Sequence, residues 1–173
     1  MGAGKSTVGR LLASRLGYEF IDTDILVEKL LGKKISQIVS LYGEAFFRTH
    51  EAQIVQNTAT RERNRVVALG GGAVLNSDTR TIIKNTGVLI YLRTTPQSIH
   101  DRINSEVQSR PVLNGVAGAA LLPKLISLLE QRSKIYEESH LKTDTDQKTP
   151  LEIAAELQIL LGLTEMSTPH NHR

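Results

Sequence analysis

The chain has no cysteine and no tryptophan, and only 4% of its 173 residues are aromatic. The absence of cysteine excludes a disulfide framework, a thiolate metal site and a cysteine nucleophile. No apolar run approaches the ~18 residues that a membrane-spanning helix needs, so we expect a soluble, cytoplasmic protein. The few aromatic rings leave little surface on which nucleic-acid bases could stack.

Neither the basic nor the acidic residues are concentrated in one segment of the sequence. Lysine and arginine number 21 against 18 acidic residues, which gives a net charge of +3. The most basic stretch, residues 61–65, is short and interrupted by Glu62, whereas a nucleic-acid footprint is usually a stripe or patch. We therefore expect a small anionic ligand, with no nucleic-acid or membrane partner, and one domain of ordinary size.

The first residues contain the end of a phosphate-binding P-loop, G-x-x-x-x-G-K-[ST]. In such a loop the backbone amides surround phosphates, Lys5 reaches the β- and γ-phosphates, and the Ser6 hydroxyl ligates Mg²⁺. Apolar residues at helical spacing follow and stop at Gly17, which predicts a helix whose positive end faces the phosphates. The candidate ATP contacts here are Gly2, Ala3, Gly4, Lys5, Ser6 and Thr7.

Two other patterns overlap this segment. Gly2 with Ser6 matches a myristoylation signal, and residues 5–18, basic and without acids, resemble a transit peptide. Both patterns are short and permissive, so we favour the P-loop. Its first glycine would fall two residues before Met1, and a P-loop normally follows a strand. We therefore expect a truncated start that lacks a central first strand.

The rest of the chain alternates short apolar runs with amphipathic segments. We predict strands at residues 18–22, 65–69, 87–92 and 141–144, helices at residues 25–31, 36–42, 44–62, 95–104, 120–139 and 150–162, and a further helix that starts at residue 77. This order predicts an α/β fold, a three-layer α/β/α sandwich with a parallel sheet. Ligands of such folds bind beyond the carboxyl ends of the strands.

Two acidic residues and three glycines follow the predicted strands. Asp22 and Asp24 could divide their tasks between Mg²⁺ and an acceptor hydroxyl, although acidic residues are also common helix N-caps. The glycines Gly70, Gly71 and Gly72 either form a tight turn or let a substrate approach the backbone.

Three arginines are candidates for binding anions. Guanidinium groups bind carboxylates and phosphates bidentately, so we consider Arg48 and Arg132 on helices and Arg110 in a loop. An arginine on a mobile loop resembles an arginine finger. The alternative for each is a solvated surface group, which most arginines are.

A series of motifs runs in order over about residues 1–150. It comprises G-A-G-K-S-T-V-G-R from Gly2, F-I-D-T-D from Phe20, G-E-x-x-F-R-x-x-E from Gly43, G-G-G-A-V from Gly70, R-P-V-L from Arg110 and R-x-x-x-Y from Arg132. The series resembles shikimate kinases, which have a P-loop, nucleoside-monophosphate-kinase-like fold. Gluconate and adenylate kinases share the P-loop but not the rest.

The resemblance implies transfer of the γ-phosphate of ATP to the 3-hydroxyl of shikimate, with Mg²⁺, on the route to chorismate and aromatic amino acids. It implies that Lys5 contacts the phosphates, that Ser6 ligates Mg²⁺ and that Asp22 holds Mg²⁺ through water. Asp24 would bind the shikimate hydroxyls and accept the 3-hydroxyl proton. Arg48 and Arg132 would clamp the shikimate carboxylate beside Gly70, Gly71 and Gly72, with Gly71 the favoured backbone contact, and Arg110 would reach the ATP phosphates.

The resemblance also implies an organisation for the whole chain. We expect a single kinase domain at residues 1–162, with acceptor-binding helices at about 25–62 and a lid at about 105–117. We expect a disordered tail at 163–173 and a monomer. Adenine contacts are assigned to Arg102, one residue from the family's usual position, and to Lys148. The alternatives are a gluconate-kinase-like enzyme and a non-catalytic nucleotide-binding module with an incomplete P-loop.

Overall fold

The structure is a computed structural model that describes residues 2–61, 64–103 and 120–163. Within these ranges the chain forms eight α-helices: α1 (Lys5–Leu16), α2 (Thr23–Leu31), α3 (Ile35–Tyr42), α4 (Glu44–Ala59), α5 (Ser77–Thr86), α6 (Pro96–Ile103), α7 (Leu121–Tyr136) and α8 (Pro150–Leu160). The described strands are β1 (Glu19–Asp22), β2 (Arg65–Ala68), β3 (Ile90–Arg93) and β4 (Leu141–Asp144). The predicted lid with Arg110, and the predicted tail beyond residue 163, lie outside these ranges.

Local sequence signals set most of the helix ends. Gly17 and Gly32 end α1 and α2 in the left-handed conformation, with φ of 65° and 64°, which glycine adopts without steric cost. At the start of α8, Thr149 and Glu152 form a reciprocal capping box. These ends agree with the predicted elements, because each depends on only a few neighbouring residues.

Several predicted boundaries were wrong by up to three residues, among them the end of α7, which lies at Tyr136 and not at residue 139. The α3 helix begins before Ser36, since the Lys34 amide is bound by the Gln37 side chain at 3.1 Å. The α4 helix ends at Ala59, not at residue 62. The β3 strand begins at Ile90, three residues later than predicted, and the Leu89 amide just before it donates to the side chain of His140 at 3.0 Å.

The strands form two parallel pairs instead of one continuous sheet in the described part of the chain. Strand β1 pairs with β2, and β3 pairs with β4, both in parallel. A cavity of about 480 Å³ lies between the pairs and is lined by Val67 of β2 and Leu92 of β3. The predicted parallel arrangement is confirmed, and no described strand joins β2 to β3.

The first and last helices connect the two strand pairs. The core between α1 and α8 consists of Val8, Leu12, Leu16, Ile153, Ala154 and Leu157, each no more than 3% exposed. Val66 of β2 and Ile90 of β3 pack against this cluster, so both strand pairs are held by the same helices. The start of α1, which carries the P-loop, is thereby fixed to the core. No helix in the described ranges is long and apolar enough to cross a membrane.

Candidate functional site

The P-loop is shaped by two glycines with left-handed backbones. Gly2 has φ 64° and Gly4 has φ 80°, and Lys5 begins α1 directly after Gly4. Gly4 occupies the N-cap position, where no side chain bonds the first amides of the helix. A helix start of this kind, with the positive end of the helix dipole, favours an anion.

The P-loop serine is hydrogen-bonded to the first of the two aspartates. The Ser6 hydroxyl donates to Asp22 Oδ2 at 2.6 Å. The other oxygen, Asp22 Oδ1, accepts from the Asp24 amide at 3.1 Å and the Ile25 amide at 3.3 Å, which caps α2. Asp22 is thus an N-cap and also a neighbour of the P-loop, so its two proposed roles are compatible. Asp24 lies within the first turn of α2 and is not its cap.

The Asp24 carboxylate meets the Glu51 carboxylate over Gly70. A Cβ atom at Gly70 would lie closer than 3.0 Å to an oxygen of each carboxylate, so glycine is required for this approach. Burial raises the pKa of Asp24, and the nearby Asp22 raises it further, against the opposing effect of Lys5. Burial likewise raises the pKa of Glu51, which is only 2% exposed, although Arg48 acts in the other direction.

Arg48 is held in place from several sides. Its guanidinium donates to Glu51 at 2.6 Å and to Glu44 at 3.0 Å, and it lies 5.0 Å from the centre of the Phe47 ring. Burial disfavours the charge of Arg48, but hydrogen bonds and charges from Glu51 and Glu44 outweigh burial and raise its pKa. The group therefore stays a guanidinium cation with a fixed orientation.

The three glycines, which we call the glycine turn (Gly70, Gly71 and Gly72), are hydrogen-bonded by side chains of α2 and α7. Thr23 of α2 is fully buried, and its hydroxyl accepts from the Gly70 amide at 3.0 Å and donates to the Ala68 carbonyl at 3.3 Å. Tyr136 of α7 donates its hydroxyl to the Gly71 carbonyl at 2.6 Å. The turn continues into a short 3₁₀ helix, Ala73–Leu75, which the sequence did not predict.

The other described candidate residues, Arg132, Arg102 and Lys148, lie on different elements from the residues above. Arg132 is half-buried on α7, one turn before Tyr136, so the two residues share a helical face. Arg102 of α6 donates to the Thr145 carbonyl at 3.2 Å, and Lys148 pairs with Glu156 of α8. Arg102 and Lys148 therefore lie near the carboxyl end of β4. Arg110 belongs to the ranges that the structure does not describe, and its role stays a prediction.

Three residues of this region had no role in the sequence-based assignment. Glu51 and Tyr136 were recognised only as parts of motifs, and Thr23 only as the middle of D-T-D. The spacing of Arg48 and Glu51 by three helical residues is a usable signal for an ion pair. For Thr23 and Tyr136 the partners are 47 and 65 residues away, and nothing local in the sequence indicates them.

Comparisons with known proteins agree with the resemblance that the sequence motifs indicated. A family model described as shikimate kinase matches residues 1–161. A shikimate kinase of Symbiobacterium thermophilum is 38% identical over 159 residues, which cover 91% of this chain and 89% of that protein. The solved structure of an Acinetobacter baumannii shikimate kinase in complex with shikimate has a TM-score of 0.86 at 35% identity, covering 94% of this chain and 89% of the other.

The fold and the site define a P-loop phosphotransferase. The chain belongs to the shikimate kinase family, and its activity is that of a kinase acting on a shikimate hydroxyl. A gluconokinase of Sinorhizobium meliloti is 20% identical with a TM-score of 0.53, covering 94% of this chain and 91% of that one. That likeness shows a shared fold alone.

Proposed function

We propose that this chain transfers the γ-phosphate of ATP to the 3-hydroxyl of shikimate with the residues gathered at the carboxyl ends of β1 and β2. The observation that carries the proposal is that the Asp24 carboxylate and the Arg48 guanidinium both lie against the glycine turn, the first at Gly70 and the second at Gly72. Lys5 of the P-loop lines one small cavity with Gly70 and Gly71. An acceptor and a phosphoryl donor would therefore lie side by side.

The P-loop and Asp22 suit MgATP. Mg²⁺ prefers oxygen ligands and is usually held by one or two carboxylates together with the phosphates and water. The Ser6 hydroxyl and the Asp22 carboxylate lie together at the start of α1, and no larger cluster of metal-ligating side chains occurs among the described residues. The donor set fits a magnesium ion that completes its shell with phosphates. When bound, this ion would neutralise charge on the transferred phosphate.

The acceptor site suits a compound that carries both a carboxylate and hydroxyls. Arg48 offers a fixed guanidinium to the carboxylate, and Arg132 on α7 would complete the clamp. Asp24 accepts hydrogen bonds from hydroxyls, and the glycine turn lets the ring approach the backbone. The Acinetobacter baumannii relative was solved in complex with shikimate, which supports this choice of acceptor.

The chemistry assigned to this chain is positioning and proton transfer. The Asp24 carboxylate takes the proton from the 3-hydroxyl as its oxygen attacks the γ-phosphorus and the bond to ADP breaks. The burial that raises the pKa of Asp24 makes its carboxylate a stronger base than an exposed aspartate. Lys5 balances the negative charge of the phosphates.

We also propose that residues 1–162 form one kinase domain, which the family match to residues 1–161 supports. The adenine roles of Arg102 and Lys148, the cytoplasmic location and the monomeric state remain predictions. Light scattering of the purified chain tests the monomer.

An assay that couples ADP release to NADH oxidation tests the main proposal. The purified chain is given MgATP with shikimate, gluconate, or no acceptor. We expect ADP release that depends on shikimate and a product that mass spectrometry and NMR identify as shikimate 3-phosphate. ATP binding without turnover of either acceptor would favour the non-catalytic alternative. Turnover of gluconate alone would favour the gluconate-kinase-like alternative.

A further inference from the structure

All three carbonyl groups of the glycine turn are hydrogen-bonded. The Gly70 carbonyl accepts from the Ala73 amide at 3.1 Å, and the Gly72 carbonyl accepts from the Leu75 amide at 3.0 Å. These two bonds are local to the turn. The Gly71 carbonyl is bound by a side chain from another element, the Tyr136 hydroxyl of α7, at 2.6 Å.

The hydrogen bond from Tyr136 fixes the orientation of the whole Gly71–Gly72 peptide group and not only of the Gly71 carbonyl. The Gly71 carbonyl and the Gly72 amide belong to one peptide plane, and in a trans peptide they point in opposite directions. No cis peptide occurs in the described part of the chain. Because glycine lacks the steric limits of other residues, the plane between two glycines can rotate easily. The Tyr136 hydroxyl therefore sets the direction of the Gly72 N–H.

The amides of Gly71 and Gly72 are donors that the protein leaves for a ligand. Within the described ranges, the Gly70 amide is bound by Thr23, but those of Gly71 and Gly72 have no protein acceptor. The Arg48 guanidinium lies directly against Gly72. An amide donor and a cation are thus neighbours at the proposed acceptor site.

Tyr136 is itself held by packing. Its ring lies 5.2 Å from the ring of Tyr91 on β3, at an interplanar angle of 43°. Both rings line a cavity of about 90 Å³ that also includes Lys5 and Gly71. Tyr136 therefore links the glycine turn to β3 and to the helix that carries Arg132.

We propose that Tyr136 is a positioning residue, which holds the Gly71–Gly72 peptide so that the Gly72 N–H donates to an oxygen of the acceptor substrate bound beside Arg48. The inference rests on the proposed function, because it needs an oxygen-rich acceptor at this site. Tyr136 acts through the peptide and does not touch the substrate.

Two tyrosine variants test the inference in the coupled ADP assay. Tyr136→Phe removes only the hydroxyl, and Tyr91→Phe is the matched control, since it removes a hydroxyl from the stacked partner ring. We expect Tyr136→Phe to raise the KM for shikimate about threefold to tenfold, the range for one lost hydrogen bond. The KM for ATP should stay at the wild-type value, the melting temperature should fall by no more than about 2–4 °C, and Tyr91→Phe should leave both KM values unchanged.

Amide exchange measured by NMR on ¹⁵N-glycine-labelled wild-type protein gives a second readout that needs no stable variant. Shikimate should slow exchange of the Gly72 amide, whose signal is assigned by triple-resonance NMR of uniformly labelled wild-type protein. An unchanged Gly72 exchange rate, an unchanged KM in Tyr136→Phe, or equal rises in both KM values would overturn the inference and leave the proposed function standing. A wild-type chain that does not turn over shikimate would refute the proposed function, and the inference with it.

Discussion

The Arg48 guanidinium fills the space that a side chain at Gly72 would need. A Cβ atom built on Gly72 would lie closer than 3.0 Å to three guanidinium atoms of Arg48. The Gly72 backbone itself, with φ −97° and ψ −12°, is accessible to any residue. Glycine is therefore required at this position because of Arg48 and not because of the backbone conformation.

Replacing Gly72 with alanine should displace Arg48 and weaken binding of the acceptor. We expect Gly72→Ala to raise the KM for shikimate about tenfold or more, as the loss of a charge-assisted contact does, with little change in the KM for ATP. Gly87→Ala is the matched control, since its Cβ would meet only the Ile83 carbonyl, at 3.9 Å. Steady-state kinetics measures both variants, and an unaffected shikimate KM in Gly72→Ala would contradict the proposed position of the acceptor.

Arg48→Lys should show that shape matters as well as charge at this site. A lysine ammonium cannot hold Glu44 and Glu51 and still offer a bidentate face to a carboxylate. The shikimate KM should rise about tenfold to a hundredfold, with kcat changed less. Arg10→Lys, at an exposed residue of α1 that lies over the Phe20 ring, is the control. A shikimate KM equal to that of the control would remove Arg48 from the acceptor site.

Asp24→Asn keeps the shape of the side chain and removes the proposed base. We expect kcat to fall about 10² to 10⁴-fold, the usual contribution of general acid–base catalysis. Glu28→Gln, one turn further along α2, should retain wild-type kcat. Circular dichroism melting curves of both variants establish that they are folded. A folded Asp24→Asn variant with wild-type kcat would show that another group accepts the proton.

Ser6→Ala should raise the Mg²⁺ concentration that the enzyme needs for activity. The hydroxyl lies 2.6 Å from Asp22, where it can share the proposed metal site, so its loss should raise the Mg²⁺ concentration for half-maximal rate about tenfold. Ser14→Ala, an exposed serine on the same helix, is the control. A chelator should stop turnover by the wild-type protein, and added Mg²⁺ should restore it. A Ser6→Ala variant with an unchanged Mg²⁺ requirement would exclude this ligand.

Glu51 should make the stability of the fold depend on pH. Burial raises its pKa in the folded protein above the ordinary value of 4.5, so the folded state holds this proton more tightly than the unfolded state. The stabilisation from the proton is complete below about pH 4.5 and is lost as the pH rises through the folded pKa, by at most ~1.4 kcal/mol per pH unit. The free energy of unfolding of the wild type, relative to Glu51→Gln, should therefore fall as the pH rises.

Urea unfolding between about pH 4 and pH 8 measures this difference. Glu44→Gln is the control, because Glu44 also pairs with Arg48 but its side chain is 67% exposed. Its difference from the wild type should vary little with pH. A Glu51→Gln difference that grows in favour of the wild type as the pH rises would mean that the ion pair with Arg48 outweighs burial.

Features that depend on neighbouring residues were predictable from the sequence. The helix ends at Gly17 and Gly32 follow from backbone freedom, and the cap at Thr149 follows from a hydroxyl and an acid three residues apart. The family assignment was equally accessible, because the ordered motifs place chemistry-bearing residues at strand ends. The comparisons confirm it.

Features that depend on distant partners were not predictable. A glutamate is seldom fully buried, so the residues around Glu51 in the sequence do not indicate that its carboxylate is buried against Gly70. The Tyr136–Gly71 hydrogen bond joins residues 65 positions apart. Such positions are set by tertiary packing, which overrides local preference.

The contact between α1 and α8 has a consequence for biosynthesis. Arg15 donates to Gln158 at 2.7 Å across 143 residues of sequence, and the helices bury a shared core. A ribosome produces about 5–20 residues per second, so α1 leaves the exit tunnel several seconds before its packing partner exists. Until α8 emerges, the apolar side of the P-loop helix can be covered by the strands but not by its partner helix. The nascent chain should therefore gain ATP affinity only after α8 has been synthesised.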